Sequence, residues 1–283
     1  MKGFALAAVI LVGACGGTSS QTGDAAGDDD DDAATGDDVD APTTDLPDAP
    51  PAMVDVDNDG LDDNTELAWA RAFRPFVSVD DSDACPLGGF VVRVFPHPAD
   101  PTLVAIIYDH LFETDCGFGG HTGDNEVFGA TIDPAQPAPG GLVALVAASH
   151  QNTICERISA CGKCTGQTAC DTAMLDGVPT AVVYSSKDKH GTYATLSSCD
   201  PFATCFDACS LATASDDPPM ANAGEPTMHM IDNLSTQGFI TAANGWTKPE
   251  VFDVDPWGPD DFGGAGNIAE DLVDPTFLAA ACH

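Results

Sequence analysis

Basic residues are scarce: nine Lys and Arg stand against 45 Asp and Glu, a formal net charge of -36. Phosphate backbones would be repelled, which disfavours nucleic-acid binding. Anionic membrane surfaces would be repelled too, unless a metal ion bridges the charges. Aromatics are few, with three Trp and three Tyr. No long apolar run follows the first twelve residues, so no later membrane span is expected. There is no internal repeat. No Gly-x-Ser-x-Gly elbow is present, so Ser185 and Ser186 carry no triad argument. The glycines at Phe262-Gly-Gly-Ala-Gly lack the preceding strand and following helix that a dinucleotide site requires.

What is present begins at the N-terminus. Met1-Lys2, an apolar run from Phe4 to Val12, and the small residues Gly13 and Ala14 have the parts of a secretory signal over residues 1–14. Leu11-Val12-Gly13-Ala14-Cys15 resembles a bacterial lipobox, whose cysteine is lipidated and becomes the mature N-terminus. The resemblance implies a cell-envelope lipoprotein, at the outer membrane or cell surface, with the membrane as partner through the lipid anchor. An ordinary signal peptide and a secreted protein are the alternative. Gly16 is not an acidic retention signal, which leans toward the outer membrane. Of eleven cysteines, ten remain after Cys15, an even number that points to disulfides in an oxidising compartment. Their pairing is not readable.

Residues 15–52 are Asp, Gly, Ala, Ser, Thr and Pro-rich and include the run Asp28 to Asp32. Such a segment buries no core and is extended by its own charge, so it reads as a disordered tether. Residues 53–74 are expected to hold a metal loop and a helix from Asn64 to Phe73, with Leu67, Ala70 and Phe73 at helical spacing and Pro75 as its stop. Residues 75–283 contain short apolar runs cut by Gly, Pro, Asn and Asp. Phe90–Phe95, Leu103–Tyr108, Val127–Ile132, Leu142–Ala147 and Ala181–Tyr184 are examples. This pattern predicts a mainly β fold, a sandwich with long disulfide-stapled loops and a few peripheral helices. Trp246 and Trp257 are expected to pack it.

Asp55-Val-Asp57-Asn-Asp59-Gly60-Leu61-Asp62-Asp63-Asn-Thr-Glu66 matches a twelve-residue calcium loop at every ligand position. Asp55, Asp57 and Asp59 supply carboxylates at positions one, three and five. Gly60 makes the turn at six, Leu61 offers its carbonyl at seven, Asp63 stands at nine and Glu66 is the bidentate carboxylate at twelve. Asp62 replaces the aliphatic residue that joins paired EF-hand loops, so the loop reads as solitary, similar to those of thrombospondin type 3 and dockerin modules. Ca2+ is the expected ion and a structural role the expected one.

A second cluster lies in Asp109 to Val127. A strand runs through a glycine-rich loop into another strand. Asp124 and Glu126 are two apart and face the same way on an extended chain. His121 precedes them, so His-x-x-Asp-x-Glu can converge on one cation, with Asp115 closing the site from the far end of the loop. Imidazole with carboxylates suits Ca2+, Mg2+ or Mn2+ and does not exclude zinc. A polar turn with solvated carboxylates is the bland alternative.

Gly120-His121-Thr122-Gly123-Asp124-Asn125-Glu126 resembles the heptapeptide Gly-His-Arg-His-Asp-Trp-Glu of the necrosis-inducing, NLP-type proteins, secreted cytolysins with a β-sandwich fold. Lys187-Asp188-Lys189-His190-Gly191-Thr192-Tyr193 is similar to their Ser-Ala-His-Gly-x-Tyr stretch. The resemblance implies a divalent cation at His121, Asp124 and Glu126, with Asp115 near an upstream family aspartate. It also implies His190 and Tyr193 close to the site as ligand contacts, and a polar lipid headgroup or glycan as ligand. Thr122, Gly123 and Asn125 replace the family's Arg, second His and Trp, so target choice and toxicity do not carry over.

Cys161-Gly-Lys-Cys164, flanked by Cys155 and Cys170, could be read as a zinc knuckle, but a disulfide-stapled loop suits an exported protein better, and the same holds for Cys199, Cys205 and Cys209. The leading expectation is a non-enzymatic, cation-dependent binding protein of the cell envelope, with membrane activity left open. A metal-dependent phosphoester hydrolase and a purely structural calcium-stabilised surface protein are the alternatives.

Overall fold

The computed structural model describes residues 53–85, 87–117, 120–150, 155–199, 207–223 and 234–253. The signal, Cys15, the tether, Cys205, Trp257 and the glycine-rich C-terminal stretch lie outside the described residues.

Helix α1 spans Asp63–Ala72, one residue earlier at each end than its sequence pattern suggested. The shift has a cause: Asp62 is the N-cap, and its carboxylate accepts from the Thr65 N–H at 3.0 Å. Asp63 and Glu66 fill the first turn and Arg71 the last, each favourable to the helix dipole. The Tyr108 hydroxyl donates to the Ala70 carbonyl at 2.8 Å, which satisfies one orphan acceptor of the last turn.

Ten strands follow among the described residues: β1 Phe76–Val79, β2 Leu87–Pro96, β3 Val104–Thr114, β4 Thr122–Ile132, β5 Leu142–Ser149, β6 Arg157–Gly162, β7 Thr172–Leu175, β8 Val178–Ser185, β9 Thr192–Tyr193 and β10 Met220–Asn222. They form two sheets. One has the order β10-β2-β3-β4-β5-β6; the other has β1-β8-β7, with β9 also on β8. Pairing is antiparallel except for β1 with β8 and β10 with β2.

The period-two alternation of the central strands is used on both faces. Phe90, Val92, Ile106, Tyr108, Phe128 and Leu145 point toward Val77, Ala181 and Val183 of the other sheet. That is the sandwich interior, and Ala70 and Phe73 of α1 join it. The alternate residues Val91, Ile107, Leu111, Val127 and Val146 pack instead against Leu234, Ile240, Trp246 and Phe252. Residues 234–253 therefore cover the outer face of the large sheet. This explains why β3 and β4 read as near-continuous apolar runs rather than as a clean alternation. Trp246 packs the fold as expected and is 2% exposed.

Disulfides join Cys85 to Cys116, Cys161 to Cys170 and Cys199 to Cys209. Cys155 and Cys164 are disulfide-bonded as well. The thiols that a zinc knuckle would need are thus spent. No helix among the described residues is long and apolar enough to cross a membrane.

Candidate functional site

The hairpin of β3 and β4 carries the interior row of the sandwich past its apolar end. After Tyr108 and Phe128 the same face presents His110 opposite Glu126 and Phe112 opposite Asp124. The loop between the strands is drawn tight. The Asp115 N–H donates to the His121 carbonyl at 3.0 Å, and the Gly120 N–H to the Gly117 carbonyl at 3.0 Å. A Cβ on Gly120 would lie 2.1 Å from the Asp115 carbonyl oxygen, so this loop closes only with glycine there.

Two further segments close over the hairpin. The Cys85–Cys116 disulfide fastens the β1–β2 loop to it. The turn between β8 and β9 is fastened by the Cys116 N–H, which donates to the Asp188 carbonyl at 3.1 Å. That turn lays the His190 ring on the Phe112 ring, centroids 3.6 Å apart and 5° from parallel. His190 Nδ1 is 2.8 Å from Asp124 Oδ2, and its Nε2 is 3.5 Å from Asp83 Oδ2. Burial works against a charged imidazole here, but the Asp124 and Asp83 carboxylates outweigh it and hold the His190 pKa up at about 9. His190 is therefore an internal cation between two aspartates. Asp83, His190 and Cys85 are close enough to suggest a metal group. Cys85 is in a disulfide and offers no thiolate, so the trio is an ion-paired cluster.

His121 Nδ1 lies 2.6 Å from the Gly123 carbonyl, so Nδ1 carries a hydrogen and donates it there. Nε2 faces Asp115 Oδ2 at 3.8 Å. Asp115 also accepts from the Gly117 N–H at 2.7 Å and is ion-paired with Lys189. Glu126 is buried among Asp124, Asp207, Asp109 and Asp115. Desolvation first, and repulsion from those four carboxylates second, push its pKa well above the ordinary range. Its Oε2 has no hydrogen-bond partner. A buried, unpartnered carboxylate oxygen inside a ring of negative charge is costly unless it is protonated or meets a cation. The donor set of His121, Asp115, Asp124 and Glu126 fits a divalent ion in that respect.

The cluster is not closed as it stands. Ligand atoms of His121, Asp124 and Glu126 do not all come within 4.8 Å of one another. His121 sits with Asp115 and Lys189, while Asp124 sits with His190. His190 and Tyr193 are 0% and 3% exposed, so both stand behind the carboxylates and do not face solvent. The Tyr193 hydroxyl donates to Asp207, which also pairs with His150. Asp83, Asp207, His150 and Lys189 are members that the spacing of the sequence did not reveal, because each arrives from a distant loop.

The Asp55–Glu66 loop is closed. The Asp55 carboxylate accepts from the Asp59 and Gly60 N–H groups at 3.2 and 3.1 Å, and Asp59 from Leu61 at 2.8 Å. Gly60 has φ +96°, as its turn requires. Asp55, Asp57 and Asp63 form one group of ligand atoms within 4.8 Å, and Asp57, Asp59 and Glu66 a second. Burial, aided by Asp59, raises the Asp57 pKa to about 6; burial, opposed by Asn222 and aided by Asp57, raises that of Glu66 to about 8. These acidic clusters could hold a metal ion.

The molecule is thus a two-sheet β-sandwich with an imidazole–carboxylate cluster at one end and an acidic loop at its helix. No family model and no curated protein matches the chain. Among solved structures, "Toxin fold for microbial attack and plant defense" is 18% identical, covers 61% of this chain and 79% of that one, and has a TM-score of 0.34. NLPPya in complex with glucosamine is 18% identical over 61% of this chain and 75% of that one, TM-score 0.34. NLPPya in complex with mannosamine is 17% identical over 60% and 78%, TM-score 0.35. The resemblance to NLP-type toxins is therefore a remote one, and overlaps of this size transfer neither ligand nor activity.

Proposed function

We propose that this is an exported, lipid-anchored protein whose β-sandwich uses a divalent cation at Asp115, His121, Asp124 and Glu126 to bind a polar headgroup or glycan. Lipidation at Cys15 and the acidic tether would hold it at the cell envelope, on the outer membrane or cell surface. Ca2+ occupies the Asp55–Glu66 loop in this reading, and Ca2+, Mg2+ or Mn2+ the second site.

The observation that carries the proposal is Glu126. Its buried oxygen has no partner, and four other carboxylates surround it. A divalent ion would neutralise that charge and bridge it to a polar ligand despite the acidity of the chain. Asp83 and His190 would fix Asp124 from behind, as outer residues do for metal-binding carboxylates.

The test is co-sedimentation with phosphatidylcholine vesicles, with and without a glycosylated lipid, in Ca2+, Mg2+ or Mn2+ and in chelator. Glucosamine and mannosamine, the sugars held by the NLPPya structures, serve as soluble probes. Cation-dependent binding that Asp124→Ala abolishes is the expected result. Equal binding in chelator, or by Asp124→Ala, would remove the cation from the account. Dye release from the same vesicles reports whether binding is lytic.

A further inference from the structure

We infer that the ion held by the Asp55–Glu66 loop is a clasp: it fastens the edge strand β10 to helix α1 through Glu66 and Asn222. The inference rests on the calcium reading of that loop and gives it a mechanical purpose.

The loop has spent its own donors before an ion arrives. The Asp59, Gly60 and Leu61 N–H groups are directed to Asp55 and Asp59. Asp57 and Glu66 are 5% and 0% exposed, and Asp57 Oδ1, Asp59 Oδ2 and Glu66 Oε1 have no partner. These three residues offer ligand atoms within 4.8 Å of one another. Unpartnered carboxylate oxygens on two buried side chains and a half-buried one, all within reach of one another, suit a cation.

The other oxygen of Glu66 looks away from the loop. Oε2 accepts from Asn222 Nδ2 at 2.7 Å, across a gap of 156 residues in sequence. Asn222 ends β10, a strand of three residues at the edge of the large sheet. Beside its parallel register with β2, the strand is held by the Phe90 N–H to Pro219 carbonyl at 2.8 Å and the Ala223 N–H to Val92 carbonyl at 3.1 Å. So short a strand contributes little on its own. An ion on Oε1 would fix the Glu66 side chain, and with it the oxygen that accepts from Asn222. Part of the binding energy of the ion is then expressed as docking of β10. Asn222 is a positioning residue here: it orients a ligand and is not one.

The experiment is a Ca2+ titration of the full chain by calorimetry, with hydrogen–deuterium exchange read over residues 219–223 and over the loop. The wild type should bind Ca2+, and exchange in both segments should slow. Asn222→Leu, which keeps the branching and heavy-atom count and removes the donor, should bind about tenfold more weakly. It should protect the loop but not residues 219–223. Unchanged exchange at 219–223 in Ca2+-bound wild type, or wild-type affinity and protection in Asn222→Leu, would overturn the clasp and leave the calcium loop standing. Absence of Ca2+ binding by the wild type would overturn both.

Discussion

Lys189 is ion-paired with Asp115, the candidate ligand at the start of the β3–β4 loop. The pairing is held by backbone as well as charge. The residue before Lys189 donates its N–H to Asp83 at 2.8 Å and accepts from Cys116. Asp188 and His190, on either side, both have positive φ, at 64° and 58°. The turn therefore aims an ammonium into the acidic cluster, where it neutralises charge that a divalent ion would otherwise meet.

Lys189 should compete with that ion. Lys189→Met is predicted to raise divalent affinity at the second site about tenfold, or ~1.4 kcal/mol. Mn2+ titration of the Glu66→Gln background, which disables the first loop, isolates this site. Affinity unchanged or lowered in Lys189→Met would show that the ammonium is a neighbour and not a competitor.

His110 sets an acid limit on stability. It is fully buried between Phe90 and Phe112, ring centroids at 4.4 and 4.1 Å, and 3.1 Å from Asp216 Oδ2. Burial lowers the His110 pKa below its ordinary 6.5, and Asp216 opposes this without reversing it. With the folded value below the unfolded one, the unfolded chain takes up the proton first as pH falls. Stability is thus unaffected by this group above the unfolded pKa and lost as pH drops below it. Urea denaturation at pH about 7.5 and about 5.5 should show a smaller loss for His110→Gln than for the wild type. Identical losses would place the acid sensitivity elsewhere.

Tyr108→Phe removes the hydroxyl that caps the Ala70 carbonyl and leaves a buried acceptor unpaired. The Phe128 stacking at 4.8 Å is kept. The predicted cost is about 1–2 kcal/mol, read as a lower urea midpoint with an unchanged m-value. No shift in midpoint would mean that the end of α1 is satisfied by solvent.

What the sequence made legible follows from range. Helix α1 and the Asp55–Glu66 loop are local, and their pattern was readable to within one residue at each helix end. The central strands were readable because their apolar runs are long, although β3 extends to Thr114 and β4 starts at Thr122, beyond the apolar segments. Those extensions carry His110, Phe112, Asp124 and Glu126, polar or mixed residues that weaken a strand pattern while belonging to one. Strands β1, β6, β7, β9 and β10 were not read. They are short, and β10 depends on β2 and Asn222 for its place. At the candidate site, His121, Asp124 and Glu126 were grouped from their spacing, as His-x-x-Asp-x-Glu. Asp83, His150, Lys189 and Asp207 were not, because only loop packing and a disulfide bring them in.

A cation on Glu126 is open to one decisive comparison. The buried carboxyl is pushed toward its neutral form in the metal-free protein, so Glu126→Gln should leave metal-free stability nearly unchanged. Metal-induced stabilisation should vanish. Thermal unfolding of Glu66→Gln and of Glu66→Gln/Glu126→Gln, each with and without Mn2+ or Ca2+, makes the measurement. Tm should rise with metal in the first protein and stay unchanged in the second. An equal rise in both would contradict a cation on Glu126.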